Sequence, residues 1–367
     1  MSCYILVINP GSTSTKIAIY NGLKQEALEV IHHSTTELSQ FKEIFEQFQF
    51  RKSFIYQLLQ EKKFDLKDLV AVVGRGGLCK PIPSGVYEVN EQMLLDLKTS
   101  AYGKHVSSLS GLIAYEIAEE LGIKAYIVDP VVVNEFEPLA FYSGWPEIKR
   151  KSLFHALNQK AAARKASESL GKGYQESRLI VAHLGGGITI GVHKFGRVVD
   201  VNNGLEEGPF APERLGSLPI GDLIRLCFSG KYTKEVMLKT MAGKGGLVAY
   251  LGTNNGREVE ELILAGDSYA LEVFEAMAYQ VAKEIGGGAT VLEGKVDAIV
   301  LTGGLANSDR FVGWLKQRVG FIAPVIVLAG EFEMEALAFG AWRVITGREE
   351  AKTYAPTEDW SHYIGFK

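Results

Sequence analysis

Two stretches of the chain share one order of apolar and polar positions. Residues 4–32 run through an apolar strand, a turn rich in hydroxyls, an alternating strand, a turn at Asn21-Gly22 and a third strand. Residues 178–204 repeat this order, with a glycine-rich first turn and a second turn at residues 194–197. Such alternation between turn residues predicts strands joined as hairpins. We therefore expect two three-stranded meanders and favour a duplication of one plan.

Further apolar runs predict the elements around each meander. The first half contains the strands DLVAVV and KAYIV, separated by the helical pattern HVSSLSGLIAYEIAEELG. The second half contains the strands DAIVL and PVIVL, with helices near residues 269–285 and 309–319 and a last helix after them. The polar stretch at residues 141–151 indicates a break. We predict an α/β protein with domains at residues 1–148 and 149–367; packing of the last helix on the first domain stays open.

Length and charge narrow the kinds of partner. At 367 residues the chain exceeds the size at which one hydrophobic core usually stops growing, so a cleft between two domains is expected. Its 39 basic and 43 acidic residues are mixed along the sequence and give a net charge of −4. Such a surface offers no footprint for nucleic acid or an anionic membrane. Small molecules are the expected partners, with no nucleic acid and no membrane.

The cysteines and the first apolar run bear on the compartment. Cys3, Cys79 and Cys227 lie far apart and outside any CxxC spacing, which supports neither a disulfide framework nor a zinc site. The apolar run at residues 4–8 is too short for the core of a signal peptide, and no window approaches a membrane span. These features predict a cytoplasmic protein.

The first turn, NPGSTSTK, holds candidate phosphate ligands. A Walker A loop needs GxxxxGK[ST] followed by a helix. Here the second glycine is missing, Ile17 stands at the Ser/Thr position, and KIAIY alternates as a strand. What remains is a hairpin whose N–H groups and hydroxyls can cradle a phosphate, or a polar surface hairpin. The candidate ligands are Ser12, Thr13, Ser14 and Lys16.

Two glycine-rich turns of the second half extend this set. The turn HLGGG at residues 183–187 occupies the equivalent place in the second meander, and its glycines allow a ligand to approach the backbone. The double glycine at residues 303–304 precedes a helix capped by Asn307 or Ser308, which suits a nucleotide's sugar and base or a plain strand-to-helix loop. The candidate residues are His183, Gly185, Gly186, Gly187, Gly303, Gly304 and Asn307.

Motifs along essentially the whole chain resemble the acetate kinase family, within the superfamily of acetate and sugar kinases, chaperone ATPases and actin. In order they are ILVINPGSTSTKIAIY, VVGRGG, YIVDPVVVNEF, SLFHALNQK, VAHLGGGITIG, VVDVNNGLEEGPFAPERLGSLP, GLVAYLGTNNGRE and VLTGGLANS. The segment at residues 200–219 is more similar to the members that act on butyrate and branched-chain acids. The resemblance implies two duplicated actin-like (ribonuclease H-like) domains, a mixed sheet in each, and an active-site cleft between them.

The resemblance also implies a reaction. It is reversible, in-line transfer of a phosphoryl group between ATP and a short-chain carboxylate, butyrate or a branched relative such as isobutyrate, giving an acyl phosphate and ADP. Mg²⁺ would be the metal, and the protein would be a homo-oligomer, a dimer or larger. Two alternatives stay open: acetate or propionate as the acceptor, and a nucleotide-driven conformational switch.

Four residues acquire catalytic roles from the resemblance and from the charge of the acceptor. Arginines suit an anionic acceptor and its phosphoryl oxygens, and Arg214 and Arg75 are the candidates. The alternatives are a salt bridge of Arg214 with Glu213 or Asp222, and an ordinary surface turn for Arg75. Asp129, at a strand end, would organise magnesium or the arginines, or simply cap a turn. His155 would donate to the moving phosphoryl group, although a lone helical histidine is more often a core residue.

The metal ligand is expected near the start of the last helix. Glu331, Glu333 and Glu335 lie there, where carboxylates also complement the helix dipole. Glu333 resembles the magnesium carboxylate of the family, with a shift to either neighbour left open. Asn9, at the end of the first strand, should contact the transferred phosphoryl group and is the second candidate at the metal.

Three consecutive glycines occupy residues 286–288, after the long helix of the second half. Glycine commonly ends helices, which would explain the first of them. Three together indicate a close crossing or a hinge, and a kinase cleft must close to exclude water. We therefore predict that the helix ends at this point.

Overall fold

The computed structural model describes residues 3–355, which form two units, each built on its own sheet. One unit contains the residues up to Asn134 together with those from Phe332 onward, and the other contains Glu135–Glu331. The second unit thus begins before the predicted boundary at residues 148–149. The last helix lies in the first unit.

A seven-stranded mixed sheet forms the centre of the first unit. Its strands are β1 (Tyr4–Pro10), β2 (Ser14–Asn21), β3 (Lys24–His32), β4 (Leu69–Gly74), β5 (Val86–Glu88), β6 (Lys124–Val128) and β14 (Lys352–Thr353), in the order β14-β5-β6-β4-β1-β2-β3. Its helices are α1 (Thr35–Ser39), α2 (Gln47–Glu61), α3 (Glu91–Thr99), α4 (Ser108–Leu121) and α12 (Glu333–Ile345). Strand β1 is antiparallel to β2 and parallel to β4, so the sheet is mixed.

A five-stranded mixed sheet forms the centre of the second unit. Its strands are β9 (Arg178–Leu184), β10 (Ile188–Lys194), β11 (Arg197–Val201), β12 (Ala298–Gly303) and β13 (Val325–Ala329), in the order β11-β10-β9-β12-β13, and β7 (Tyr142–Trp145) pairs with β8 (Ile148–Lys149) in a separate ribbon. Its helices are α5 (Ala156–Ser169), α6 (Ile220–Cys227), α7 (Lys234–Met241), α8 (Leu247–Leu251), α9 (Gly256–Leu264), α10 (Ser268–Val291) and α11 (Asp309–Val319).

The two sheets repeat one topology. The run β3-β2-β1-β4-β6 corresponds strand by strand to β11-β10-β9-β12-β13. In both, the first strand of the meander is antiparallel to the second and parallel to a strand that arrives after a helix. Both predicted meanders are confirmed, and their shared topology is that of a duplication.

Each unit also contains a helix that follows, in the sequence, a sheet strand of the other unit. Helix α5 comes after β6 of the first unit, yet it packs on β9 and β12 of the second. Helix α12 comes after β13 of the second unit, yet it packs on β1, β4 and β6 of the first. The sheet of the first unit is therefore covered by a segment distant in sequence.

Apolar runs place the central strands in the core. Residues 5–8 of β1 and 71–73 of β4 are fully buried, as expected for strands covered on both faces by helices. In the second unit, α10 crosses β9, β10 and β11 and buries Phe274, Met277 and Val281 among apolar side chains. Among residues 3–355, no helix is both long and apolar enough to cross a membrane.

Helix α10 does not end at the triple glycine, so the predicted helix end is wrong. The helix is continuous from Ser268 to Val291. A Cβ on Gly288 would lie 3.1 Å from Val192 Cγ2 of β10, so the predicted close crossing is confirmed for this one glycine. Packing against the sheet stabilises the helix by more than the low helix propensity of glycine destabilises it.

Gly287→Ala is expected to stabilise the protein by about 0.5–1 kcal/mol, because alanine has less backbone freedom to lose within a helix. Gly287 is exposed, and a Cβ there would have no described residue within 4 Å. The midpoint of urea unfolding measures the change. Gly288→Ala is the matched comparison and should gain less, because its Cβ meets Val192. A lower midpoint for Gly287→Ala would contradict a continuous helix at this position.

Candidate active site

The predicted phosphate turn of the first unit is a hairpin between β1 and β2, as the sequence indicated. Asn9 and Lys16 are partners across the ladder, so the two lie side by side at the mouth of the turn. Asn9 is buried, whereas Ser12 and Thr13 are exposed and Ser14 is half-buried. All five predicted residues of this stretch therefore lie on one short segment, with Ser12 and Thr13 at the surface.

Three predicted residues meet beside this hairpin. Asn9 Nδ2 donates to Glu333 Oε2 at 2.8 Å, and Arg75 Nη2 lies 2.7 Å from Glu333 Oε1. Strands β1 and β4 run parallel with Ile8 opposite Gly74, which brings Asn9 and Arg75 to the same edge of the sheet. Glu333 is the first residue of α12, where the helix dipole favours a carboxylate.

Glycines around Arg75 fix its position against α4. A Cβ on Gly74 would lie 2.6 Å from Ser110 O, so this close approach requires glycine. Gly76 has φ +73°, and its N–H donates to Ser110 Oγ at 3.0 Å. The turn is thus packed against α4, and the guanidinium of Arg75 faces the carboxylate of Glu333. This arrangement differs from a loose surface arginine.

The Asp129 carboxylate holds a neighbouring turn. Its Oδ1 accepts from Ser84 Oγ at 2.6 Å and from the Gly85 N–H at 2.8 Å. Asp129 is buried and has φ +40°, a left-handed conformation that costs free energy for a non-glycine residue and occurs often at functional sites. It organises at least the turn at residues 84–85, and the predicted role towards magnesium or the arginines stays a prediction.

Glu333 and Asn9 suit a magnesium ion chemically. Mg²⁺ prefers oxygen ligands and commonly takes one or two carboxylates, with water and substrate phosphates completing its shell. Glu333 is buried and has both oxygens turned to polar groups, one of them the Arg75 cation. Within residues 3–355, no group of three or more His, Cys, Asp or Glu side chains could hold a metal. One carboxylate, the Asn9 amide oxygen and ligand phosphates are therefore the donors that fit.

Two predicted histidines stack in the second unit. The rings of His155 and His183 are nearly parallel, with centroids 3.9 Å apart and an angle of 16° between planes. His155 immediately precedes α5 rather than lying within the helix, and His183 lies on β9. A Cβ on Gly185 would lie 2.9 Å from His183 Nε2, so this nitrogen faces the glycine turn.

Hydrogen bonds from α5 and β10 reach one ring nitrogen of each histidine. Asn158 Nδ2 lies 2.8 Å from His183 Nδ1; because the amide nitrogen only donates, the proton of the neutral ring is on Nε2. Gln159 Nε2 donates to Thr189 Oγ1 at 2.8 Å, and this hydroxyl lies 3.0 Å from His155 Nδ1. When the Thr189 hydroxyl donates to His155 Nδ1, the proton of the neutral His155 ring is on Nε2.

Sequence reasoning missed these supporting residues. Asn158 and Gln159 are fully buried, as is Thr189. The signal was available, since Asn158 and Gln159 follow His155 by three and four residues in SLFHALNQK and therefore lie on the same side of the chain's first helical turn. Thr189 could not be found in this way because only the fold brings β10 to α5.

Arg214 lies against the glycine turn of the second meander. A Cβ on Gly187 would lie 3.0 Å from Arg214 Cζ, and Arg214 Nη1 donates to Gly204 O at 2.6 Å. Burial lowers the pKa of Arg214, and the nearby Glu213 carboxylate partly opposes this effect. The alternative partner suggested by the sequence, Asp222, pairs instead with Arg225 at 2.6 Å.

Gly187→Ala is expected to lower kcat by about tenfold or more, because the new methyl group displaces the Arg214 guanidinium and small misplacements of catalytic groups are costly. Steady-state kinetics with the carboxylate varied would measure the effect. Gly287→Ala serves as the control, since its Cβ meets no described residue. Equal kinetics for Gly187→Ala and the unaltered protein would contradict a catalytic position for Arg214.

A pocket of about 820 Å³ opens between the glycine turns of the second unit. It is lined by Gly185 and Gly186 on one side, Gly304 and Asn307 on another, and the loop at residues 254–257. Its volume lies within the range of small-molecule and cofactor sites. The predicted residues 185–186, 304 and 307 thus share one cavity.

The strand-to-helix loop beside this pocket depends on glycine. Gly303 has φ +92°, and a Cβ there would lie 2.5 Å from Leu184 O at the end of β9. Of the two predicted caps, Ser308 is the one whose hydroxyl accepts from the Phe311 N–H, at 3.0 Å. Asn307 Nδ2 instead donates to Gly304 O at 3.0 Å and stabilises the turn itself.

Several pocket residues received no role from the sequence. Glu260 pairs with Arg310 at 2.9 Å and accepts from Ser308 Oγ at 2.6 Å, which ties α9 to the start of α11. The loop at residues 254–257 lies within the motif GLVAYLGTNNGRE, which contributes to the family resemblance. Its residue types alone do not indicate a chemical role. Ordinary polar residues of this kind gain significance only from the cavity that they line.

Comparisons with known proteins agree with this architecture. The sequence profile described as the Acetokinase family matches residues 145–321. Butyrate kinase 2 of Clostridium acetobutylicum is 54% identical over 355 residues, which are 96% of this chain and 100% of that relative.

Two solved structures have the same fold. Acetate kinase of Porphyromonas gingivalis has a TM-score of 0.76 at 19% identity, covering 95% of this chain and 100% of that one. A propionate kinase of Francisella tularensis has a TM-score of 0.73 at 20% identity, covering 93% and 99%. The predicted fold class, two duplicated actin-like α/β domains with a mixed sheet in each, is confirmed. The cleft between the domains stays a prediction.

Proposed function

The chain belongs to the acetokinase family, and from this premise we propose that it transfers the γ-phosphoryl group of ATP reversibly to butyrate or a branched relative such as isobutyrate. The products are the acyl phosphate and ADP. The observation that carries this proposal is the 54% identity to a butyrate kinase over 96% of the chain. Membership of the family implies a carboxylate and ATP or ADP as the substrates.

The second unit offers the nucleotide site. The pocket of about 820 Å³ lies beside the glycine turn at residues 185–187 and the turn at residues 303–307. Backbone N–H groups exposed by glycines suit phosphate oxygens, and the wider part of the cavity suits the sugar and base. This arrangement supports binding of ATP and ADP by the predicted residues of both turns.

The main requirement of the reaction is to stabilise the negative charge on the phosphoryl group while it is transferred. The Nε2–H of His155 suits an equatorial oxygen, and the planar guanidinium of Arg214 suits two oxygens of the carboxylate or of the phosphoryl group. Arg75 is a second cation for the same purpose in the first unit. Because a short-chain carboxylate is already ionised near neutral pH, no general base is needed, and Asp129 keeps its carboxylate on residues 84–85.

Glu333 and Asn9 would hold the magnesium ion in the first unit. When bound, Mg²⁺ neutralises negative charge on the phosphate oxygens and helps to align them. Asn9 also presents its side chain beside Lys16 at the mouth of the hairpin, which supports contact with the transferred group. Arg75 and the Asn9 amide compensate the buried carboxylate of Glu333.

A homo-oligomer, a dimer or larger, is supported by an exposed apolar stripe in the second unit. Ile220 and Ile224 on α6, and Phe228 just after it, recur at four-residue spacing and are 72%, 52% and 88% exposed. Exposed apolar patches of this kind commonly mark interfaces. Light scattering on the purified protein would determine the number of subunits. The cytoplasmic location stays a prediction that rests on the cysteines and on the sequence.

A coupled assay for ADP, together with hydroxylamine trapping of the acyl phosphate, tests the proposed reaction. We expect product with butyrate or isobutyrate and Mg-ATP. Faster turnover of acetate or propionate in the same panel would change the preferred acceptor but not the reaction. Slow ATP hydrolysis that is indifferent to every carboxylate would instead favour a nucleotide-driven switch and contradict the proposal.

A further inference from the structure

A fully buried arginine on α2 supports the phosphate hairpin of the first unit from below. Arg51 Nη1 donates to Ser14 O and to Thr15 Oγ1, both at 2.9 Å, and Nη2 donates to Ser12 O at 3.3 Å. Its Nε donates to Gln47 Oε1 at 3.0 Å within the same helix. Three of the five N–H groups of the guanidinium are thus directed at one short turn.

All of these partners are neutral oxygens. No ion pair found among residues 3–355 includes Arg51. Burial lowers the pKa of Arg51 to about 10, so the side chain stays a cation at neutral pH. A buried charge without an opposite charge is costly unless something else compensates it. A buried, unpaired cation is unusual at a position whose only role is to support the hairpin.

The hydrogen bonds of Arg51 also determine the direction of the N–H groups in the turn. The Ser12 carbonyl accepts from Arg51, and the Thr13 carbonyl accepts from the His33 N–H at 2.8 Å. In a trans peptide the C=O and N–H groups point in opposite directions. The N–H groups of Thr13 and Ser14 therefore point away from Arg51 and His33.

A second buried side chain holds the same segment. His33 Nε2 and Thr15 Oγ1 are 2.8 Å apart, and the rings of Phe50 and Phe54 lie 5.2 and 5.4 Å from the His33 ring. These aromatic rings exclude water from the space around Thr15, where electrostatic interactions are stronger than at the surface. The positive charge of Arg51 is thus weakly screened towards the hairpin.

We propose that Arg51 is a positioning residue for the transferred phosphoryl group: it keeps the hairpin's N–H groups directed outward and supplies a buried positive charge that the bound phosphoryl group compensates. This inference rests on the proposed kinase function. ATP and the acyl phosphate carry the group that the hairpin would bind. ADP lacks it, and its phosphates would bind at the glycine turn of the second unit.

Arg51→Met removes the charge while keeping a similar length, and the affinities for ATP and ADP distinguish a role in phosphoryl binding from a structural one. We expect KM for ATP and for the acyl phosphate to rise by about tenfold, in keeping with the loss of charged hydrogen bonds. The dissociation constant for ADP, measured by calorimetry, should stay within about twofold. Equal changes for ATP and ADP, or a change in the urea midpoint alone, would overturn the proposal.

Lys52→Met is the matched control on the same helix. Lys52 is also a buried cation, but it pairs with Glu120 at 2.7 Å and with Glu116. We expect Lys52→Met to lower the urea midpoint and to leave KM for ATP unchanged. A rise in KM for ATP similar to that of Arg51→Met would show that any buried cation on α2 has this effect and would overturn the specific role of Arg51.

Arg51→Lys provides a test that does not depend on an uncharged side chain folding into this site. It keeps the charge but loses the fork that reaches two carbonyls, so KM for ATP should rise by roughly threefold. An unchanged KM would overturn the proposal. The unaltered protein is assayed in parallel with butyrate; inactivity of that protein would reject the kinase function itself and is therefore distinguishable from failure of the Arg51 inference.

Discussion

Arg214→Ala is expected to lower kcat by roughly 10²–10³-fold, the loss typical of removing a preorganised donor from a developing charge. The guanidinium lies against Gly187 beside the glycine turn, and its half-buried position strengthens its interaction with an anionic substrate. Because the carboxylate and the phosphoryl group are both anions, KM for the carboxylate should rise as well. Steady-state kinetics in both directions would measure these changes.

Arg225→Ala is the matched control for this prediction. Arg225 lies on α6 of the same unit, pairs with Asp222 and is 75% exposed at its side chain, so its removal should leave kcat within about twofold. The urea midpoint of both variants shows whether the fold is retained. Near-normal turnover of a folded Arg214→Ala protein would remove Arg214 from the catalytic residues.

Glu333→Gln is expected to lower activity by about 10- to 100-fold and to raise the Mg²⁺ concentration needed for half-maximal rate, as changes around metal sites commonly do. The substitution keeps the size of the side chain and an acceptor for Asn9, but it removes the charge that Arg75 and a cation would share. Activity measured over a range of free Mg²⁺ would report both effects.

The neighbouring glutamates supply controls that also decide the assignment. Glu335→Gln changes a carboxylate in the same first turn of α12, and Glu331→Gln changes one just before the helix. Both variants should keep the Mg²⁺ dependence of the unaltered protein. A larger effect from either of them than from Glu333→Gln would move the metal ligand to that residue.

The meanders could be predicted from the sequence because their signals are local. Alternation with period two and a turn such as Asn21-Gly22 specify a hairpin whatever surrounds it. The family motifs identified the same turns, and the contacts among Asn9, Arg75 and Glu333 agree with the prediction that these residues share a site. Their catalytic roles stay predictions until the variants above are measured.

Features that depend on distant segments could not be predicted in this way. Arg51 reads as an ordinary polar position of α2, and only the fold brings it beneath residues 12–15. Thr189 likewise gains its place beside His155 from the pairing of β9 and β10. The continuation of α10 through residues 286–288 depends on packing against the sheet, which overrides the local preference of glycine.

The position of α12 in the first unit has a consequence for the order of synthesis. A ribosome makes β1, β4 and β6 long before α12, and the whole second unit lies between them in the sequence. Until α12 arrives, the sheet lacks the side chains of Leu337, Ala338 and Ala341, which are fully buried in the finished fold. Glu333 arrives with the same helix. A nascent chain therefore cannot assemble the Asn9–Arg75–Glu333 cluster before the whole second unit has been translated. Shorter products stay without the cluster and expose an apolar surface that suits chaperone binding.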